Sequence, residues 1–372
     1  MTEELPFAPG TLDGEEAIEK SLRPQRLEEF IGQSRLVENL RIAIEGARSR
    51  GEVLDHVLLS GLPGLGKTTL AFLIAEAMKV DIRCTSGPVI EKAGDLIGLV
   101  TELKRGDILF IDEIHRLSRH AEEFLYSAME DFKVDIVLDK GPDARAVRVG
   151  VEPFTLIGAT TREGYLSAPF RSRFGILEKF EPYPAADILE ILRRSAGLLG
   201  CALDEDAAAV LAERCRGTPR YANRFLRRIR DVGHYRSCSP SRSPRSRRQE
   251  APTLRLTLEH VREGLDRLGV DEHGLDRVDR KILDVLFGCD DPVGVKTIAV
   301  SVGEEERTIE DVHEPYLIQK GMLLKTPRGR RPGARAFDLY RAGSRLATPP
   351  GGGEHPAPLA ASPRERQGTL FS

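Results

Sequence analysis

Tryptophan is absent from this chain of 372 residues, cysteine occurs only five times, and no run of about 18 uncharged apolar residues exists to span a bilayer. A helical membrane anchor is therefore excluded. Cys84, Cys201, Cys215, Cys238 and Cys289 are scattered, odd in number and never in C-x-x-C spacing, which argues against a disulfide framework or a zinc ribbon. Free thiols in a reducing compartment are expected. Residues 1–9 carry Glu3 and Glu4 and lack the cationic start and apolar core of a signal peptide, so a cytoplasmic location is expected. A surplus of charge of one sign is missing too: 55 Lys plus Arg stand against 58 Asp plus Glu, a formal charge of -3. A uniformly cationic nucleic-acid coat is excluded, and any contact with nucleic acid must come from a local basic patch.

What is present divides into units. The length suits two or three separately cored domains. Up to about residue 180, compact apolar runs at 56–59, 107–111 and 154–159 alternate with helical-period stretches, the pattern of a parallel sheet flanked by helices. From 185 to 268 the period is helical, with Ile188, Leu189, Ile191 and Leu192 on one stripe and Ala207, Ala208, Val210 and Leu211 on another. Inside it, 236–252 holds five Arg, five Ser and three Pro without an apolar period and reads as a solvated, disordered insertion. After Asp271 come helices expected at 280–287, 295–302 and 309–318, a strand at 322–326 and an Arg-rich hairpin, a winged-helix order. The Pro- and Gly-rich end reads as a flexible tail. The divisions expected are 1–182, 183–267 with the insertion, 270–345, and a tail at 346–372. No long internal repeat is evident.

Gly61-Leu62-Pro63-Gly64-Leu65-Gly66-Lys67-Thr68 fits G-x-x-x-x-G-K-[ST] between an apolar run and a helical run, the strand–loop–helix context of a phosphate-binding loop. Glycines let successive N–H groups converge on phosphate oxygens, the helix N-terminus adds positive potential, Lys67 reaches the terminal phosphates, and the Thr68 hydroxyl suits Mg²⁺. Gly61, Gly64, Gly66 and Thr69 complete the candidate set. Forty-five residues on from Lys67, 108–111 is an apolar strand that ends in Asp112 and Glu113. Asp112 can hold Mg²⁺ and Glu113 can polarise an attacking water. Together these imply an NTP hydrolase. Thr160 and Thr161 end the next strand, and Thr161 is the residue expected to orient the γ-phosphate. Arg171 and Arg173 are candidates for an arginine finger acting on a neighbouring subunit. In Gly217-Thr218-Pro219-Arg220, Arg220 falls at a helix start, where a cation is disfavoured unless it meets a phosphate.

The motifs GLPGLGKTTLA at 61, TSGPVIEKAGDL at 85, ILFIDEIHRLS at 108, YSAMEDF at 126, FTLIGATTREG at 154, RSRFGI at 171, RGTPRYANRFLRRIRD at 216 and EPYLIQKGMLLKTPRGR at 314 resemble the AAA+ ATPases, and within them the bacterial Holliday-junction branch-migration motors. The likeness covers about 21–341 apart from the insertion. It implies a large AAA+ domain, an all-helical lid and a winged-helix head, forming hexameric rings that use ATP and Mg²⁺ to translocate duplex DNA at four-way junctions in recombination and repair. RuvA would hold the junction and RuvC would cut it. By the same resemblance Leu22, Arg23 and Tyr183 would contact the nucleotide, as would Glu130, Asp131 and Phe132 from an adjoining subunit. Arg173 would be the finger in trans, Thr161 and Arg220 the two sensors, and Arg328 and Arg330 the DNA-phosphate contacts, with Arg307 a further candidate.

Residues 134–149 alternate around a Gly-Pro-Asp turn and read independently as a hairpin; in the family such a hairpin docks RuvA. The insertion departs from the family and is read as a tolerated linker, with added nonspecific DNA affinity as the alternative. Residues 367–371 faintly resemble a sliding-clamp-binding peptide. Two other readings stay open: a clamp-loader-like or protein-remodelling ATPase, whose aromatic pore loop is not evident after Thr85, and a module that only holds nucleotide, against which Glu113 argues.

Overall fold

The computed structural model describes residues 21–137, 146–237 and 253–341. The insertion from 238 to 252, the hairpin tip at 138–145, residues 1–20 and the tail from 342 lie outside the described residues.

The first unit is organised by five parallel strands: β1 (Val57–Ser60), β2 (Ile82–Ser86), β3 (Ile108–Asp112), β6 (Thr155–Thr160) and β7 (Ile176–Lys179), in the order β2-β3-β6-β1-β7. Successive residues of a strand point to opposite faces, and here both faces are covered. Val57 and Leu59 of β1, Ile108 and Phe110 of β3, and Ile157 and Ala159 of β6 pack into one core with α1 (Ser34–Arg50) and α2 (Lys67–Met78). Leu58, Leu109, Ile111 and Leu156 pack into the other, with α3 (Ala93–Thr101) and α4 (Arg119–Asp131). Two-sided burial matches the unbroken burial and mostly apolar make-up of β1 and β6. The register aligns Ser60 with Thr160 and Ser86 with Asp112, so the functional tips share one edge of the sheet. A separate antiparallel pair, β4 (Lys133–Val137) and β5 (Ala146–Gly150), leaves the end of α4. The short α5 (Ala168–Arg171) precedes β7.

The lid comprises α6 (Ala185–Leu198), α7 (Glu205–Arg214), α8 (Pro219–Ser237) and α9 (Leu258–Arg267), tied by the short parallel pair β8 (Cys201–Leu203) and β9 (Leu254–Leu256). Ile188, Leu192, Leu211, Phe225 and Leu256 are fully buried and continue the core on the α2 side of the sheet. Helix α8 runs through Arg236, which pairs with Glu259 at 2.6 Å and Glu263 at 2.5 Å. The expected start of the insertion at 236 is therefore helical, because two acids of α9 hold its first arginine.

The head has its own core around Leu275, Ile282, Leu283, Ile298 and Leu323. Helices α10 (Arg277–Phe287) and α11 (Val295–Val302) are followed by α12 (Glu306–Thr308), a π turn (Ile309–His313) and α13 (Glu314–Gln319). The plain helix expected at 309–318 is thus interrupted. Pro315 has no N–H to offer the Asp311 carbonyl four residues back, and the turn before it widens. The hairpin β10 (Leu323–Thr326) and β11 (Gly329–Pro332) forms the wing, and α14 (Ala334–Arg341) closes the described chain. No described helix is long and apolar enough to cross a membrane.

Candidate functional site

The loop between β1 and α2 reverses through Gly61, Gly64 and Gly66, all at positive φ (139°, 79° and 104°). A Cβ on Gly64 would sit 2.9 Å from the Arg220 Cβ and from the Thr218 methyl, so the lid presses against the loop where glycine alone fits. Leu65 is fully buried beneath it. Lys67 opens α2 and is itself buried, with Nζ donating to the carbonyls of Gly61 and Leu62, each at 2.7 Å. Burial pushes its pKa down to about 8, while Asp112 pulls it back up and Arg220 pushes it lower. Arg220, whose N–H lies 3.4 Å from the Gly64 carbonyl, thus belongs to the same electrostatic site although it comes from the lid.

Thr68 Oγ1 donates to Asp112 Oδ2 at 3.4 Å, and Asp112 Oδ1 accepts the Glu113 N–H at 2.8 Å. A hydroxyl and a carboxylate from adjacent elements are the oxygen donors a hard divalent cation takes. Glu113 has φ 47°, and its carboxylate turns to Arg116 at 2.9 Å. At the tip of β6 the buried Thr160 hydroxyl contacts His115 Nδ1 at 3.0 Å and accepts the Arg162 N–H at 2.9 Å. The half-buried Thr161 has no side-chain hydrogen bond to another described residue, so of the two hydroxyls at the tip it is the uncommitted one.

Beside Gly66 and Thr69 lies a cavity of ≈ 90 Å³ lined by Leu22, Arg23, Phe30, Tyr183, Ile191 and Asn223 among others. Tyr183 donates to the Leu65 carbonyl at 3.1 Å, and Arg194 bridges the Leu22 carbonyl (2.8 Å) to Glu29 (3.1 Å). Sequence reasoning missed Phe30, Arg194 and Asn223. The stripe of α6 contains Ile191, but nothing in its period says that a cavity lies there.

Glu130, Asp131, Phe132 and Arg173 do not line this cavity. They gather elsewhere: Arg173 is ion-paired to Glu130, donates to the Tyr126 hydroxyl and lies 4.5 Å from the Tyr126 ring centroid. Arg171 pairs instead with Glu163 at 3.5 Å. Asp131 ends α4 and is exposed. Phe132 packs edge-on against Phe154 at 6.4 Å and leads into β4. The expected hairpin at 134–149 is represented by its paired strands, Val137 opposite Ala146, while its Gly-Pro-Asp tip is outside the described residues.

The wing requires a correction. Arg330 is buried and donates to Glu314 at 2.5 Å and to Glu310 at 2.9 Å; burial works against its charge, but these two acids hold its pKa above the ordinary guanidinium value. A guanidinium so committed is not a surface contact for phosphate. Alternation along β11 turns Arg330 inward and Arg331 outward, and Arg331 is exposed, with one contact to the Asp290 carbonyl at 3.2 Å. Strand period could have found it. Arg328 is exposed in the turn between β10 and β11. Arg307 is half exposed and lies 3.7 Å from Asp311.

Three family models match the chain: the Holliday junction DNA helicase RuvB P-loop domain over 22–180, the RuvB AAA lid domain over 183–241 and the RuvB C-terminal winged helix domain over 272–341. The Holliday junction branch migration complex subunit RuvB of Chlorobium luteolum is 53% identical over 329 residues, covering 88% of this chain and 91% of that protein. The subunit of the same name from Myxococcus xanthus is 52% identical over 327 residues, covering 87% and 91%. The solved Thermotoga maritima RuvB Holliday junction branch migration motor superposes with a TM-score of 0.75 at 44% identity, covering 86% of this chain and 98% of that one.

Proposed function

This chain belongs to the RuvB family of Holliday-junction branch-migration ATPases, and on that footing we propose that it is an ATP-driven motor subunit that translocates duplex DNA at four-way junctions. One observation carries the coupling: Arg220 of the lid packs against Gly64 of the phosphate loop and acts through its charge on Lys67 of the core, so whatever grips both cations must hold the two domains in a fixed relation. ATP is the substrate that fits. Lys67 and Arg220 neutralise its terminal phosphates, Leu22, Arg23, Thr69 and Tyr183 surround the base and sugar, and Thr161 orients the γ-phosphate. Glu113 leaves Arg116 to draw a proton from the attacking water. Thr68 and Asp112 would hold Mg²⁺, whose charge offsets that of the phosphates.

Arg173 lies away from its own cleft, clasped with Glu130 and Tyr126, which suits a finger that serves the neighbour in a hexameric ring, with Glu130, Asp131 and Phe132 beside it. Units at 1–182, 183–267 and 270–345 act as core, lid and head, and the wing grips the DNA backbone without reading bases. The hairpin at 134–149 docks RuvA, RuvC acts at the same junction, and the site of action is the cytoplasm.

The test is ATP-dependent dissociation of a synthetic four-way junction by the full chain, with and without RuvA. Strand products that require hydrolysable ATP are expected. ATP hydrolysis with neither rings on DNA nor junction movement, whatever factor is added, would overturn the reading.

A further inference from the structure

The cleft and the head are separated in sequence by the whole lid, yet one side chain of the core crosses to the head. Arg162, just past the tip of β6, donates through Nε and Nη2 to Asp311 Oδ1 at 3.0 and 2.5 Å, and its Nη2 lies 3.7 Å from Glu310 Oε2. On the core side, Arg162 is tied into the cleft. Its own N–H donates to the Thr160 hydroxyl, which contacts His115 at 3.0 Å. Its guanidinium lies 5.4 Å from the Tyr165 ring centroid, and that ring meets His115 edge-on at 6.5 Å. His115 is two residues beyond Glu113. Glu113 acts on His115 through its charge and Thr161 adjoins Arg162 in the chain, so a rearrangement at either has a short path to Arg162.

On the head side, both acids sit in the π turn Ile309–His313, an irregular turn of the kind that concentrates at working positions of helices. Glu310 is shared: besides Arg162 it holds the buried Arg330 of the wing at 2.9 Å and Lys325 at 3.6 Å. Glu314, one residue beyond the turn, holds Arg330 as well. From the same turn His313 faces the lid junction, 2.7 Å from Asp279, which also binds Arg216 of the lid at 2.6 Å. These two ties differ in kind. Asp279 and Arg216 are almost wholly buried, a permanent joint, whereas the Arg162 and Asp311 side chains are 21% and 28% exposed. A partly wet pair is weak enough to be made and broken within a cycle.

We propose that Arg162 is a positioning residue of the motor: its ion pairs with Asp311 and Glu310 pass displacement of the nucleotide-sensing strand tip into the π turn and thence to the wing. This rests on the motor reading above and adds a route by which the cleft moves the head within one chain, independent of the lid.

The test uses full-length Arg162→Gln, Asp311→Asn and the double variant, each with RuvA, and reads DNA-free ATP hydrolysis, melting temperature and junction dissociated per ATP consumed. Asp311→Asn should keep DNA-free hydrolysis and melting temperature close to wild type while junction dissociated per ATP falls about tenfold, the usual size of a site-to-site coupling. The double variant should be no worse than the more affected single one, because one link is cut once. Unchanged dissociation per ATP, losses that multiply in the double variant, or hydrolysis and melting temperature falling while the ratio holds would each overturn the proposal. Wild-type protein that dissociates no junction would overturn the motor reading itself, whereas a working wild type with fully coupled variants overturns only the link.

Discussion

The phosphate cleft and the wing both present cations beside glycines, but they use them in opposite ways. In the cleft, Lys67 is buried and donates to two carbonyl oxygens, and among the described residues the opposing charge of Asp112 is countered by Arg220, so its charge is poorly neutralised and ready for an anion. In the wing, the buried cation Arg330 is saturated by Glu314 and Glu310 and serves the fold, and the cations beside it on the surface, Arg328 and Arg331, remain for a ligand. Burial thus marks function in one place and structure in the other. The number of acids in contact decides which.

The largest effect that separates the two regions is expected in the cleft. Lys67→Ala should lower ATP turnover by at least about a hundredfold, as removal of a principal transition-state contact does, with the melting temperature little changed; steady-state hydrolysis measures it. Turnover within a few-fold of wild type would break the assignment of the cleft. Arg173→Ala should leave nucleotide affinity near normal and cut turnover by roughly 10³, the range of a finger residue. Mixing it with Lys67→Ala subunits, which keep Arg173, should restore part of the activity in shared rings, and failure to do so would place the finger elsewhere.

The cleft was largely legible in the sequence because its parts depend on local backbone. Positive φ at Gly61, Gly64 and Gly66 and an acid pair at a buried strand end are properties of a few consecutive residues. What escaped depends on which distant element arrives. The edge strands β2 and β7 lack the continuous burial of β1 and β6 and so leave no apolar run to read. The π turn has a local cause in Pro315 but no periodic signature, and no pattern shows that Asp311 lies beside Arg162, 149 positions earlier. The wing failed for a simpler reason. The TPRGR motif makes Arg328 and Arg330 look equivalent, although strand alternation separates a turn residue, an inward residue and an outward one.

That separation predicts opposite outcomes for neighbours. Arg330→Ala strands Glu314, whose side chain is only 2% exposed, without its main partner. Breaking such a buried pair costs about 3 kcal/mol, so denaturant unfolding of the head should shift clearly. No shift would mean that the pair is dispensable to the fold and would reopen Arg330 as a ligand contact.

A smaller effect follows from Lys67 and its pKa of about 8. An anionic phosphate against the ammonium favours the charged form, so the pKa must rise in the complex. Below about pH 8 the lysine is charged both free and bound, and affinity should be flat; above it, binding must first take up a proton, and affinity should fall by up to about tenfold per pH unit. Calorimetry of a non-hydrolysable ATP analogue in two buffers of different ionisation heat reads both the fall and the proton. Because Arg220 pushes the Lys67 pKa down, Arg220→Gln should move the break to higher pH. Constant affinity through about pH 9, with no proton uptake, would remove the claim that burial holds Lys67 near neutrality.

The smallest effects belong to the exposed wing cations. Each guanidinium that neutralises one phosphate releases about one counterion, so Arg328→Ala and Arg331→Ala should each weaken duplex binding a few-fold and reduce the slope of log affinity against log salt by about one. Neither side chain is buried, so neither change should alter stability by more than about 0.5 kcal/mol. Arg330→Ala, compared at a denaturant-free concentration where the head stays folded, should leave the salt slope as it was. The decisive comparison is therefore of slopes and not of affinities, since a loosened wing also weakens binding but releases no fewer ions per contact that remains. An unchanged slope in Arg331→Ala together with a reduced one in Arg330→Ala would invert the inward and outward assignment of β11.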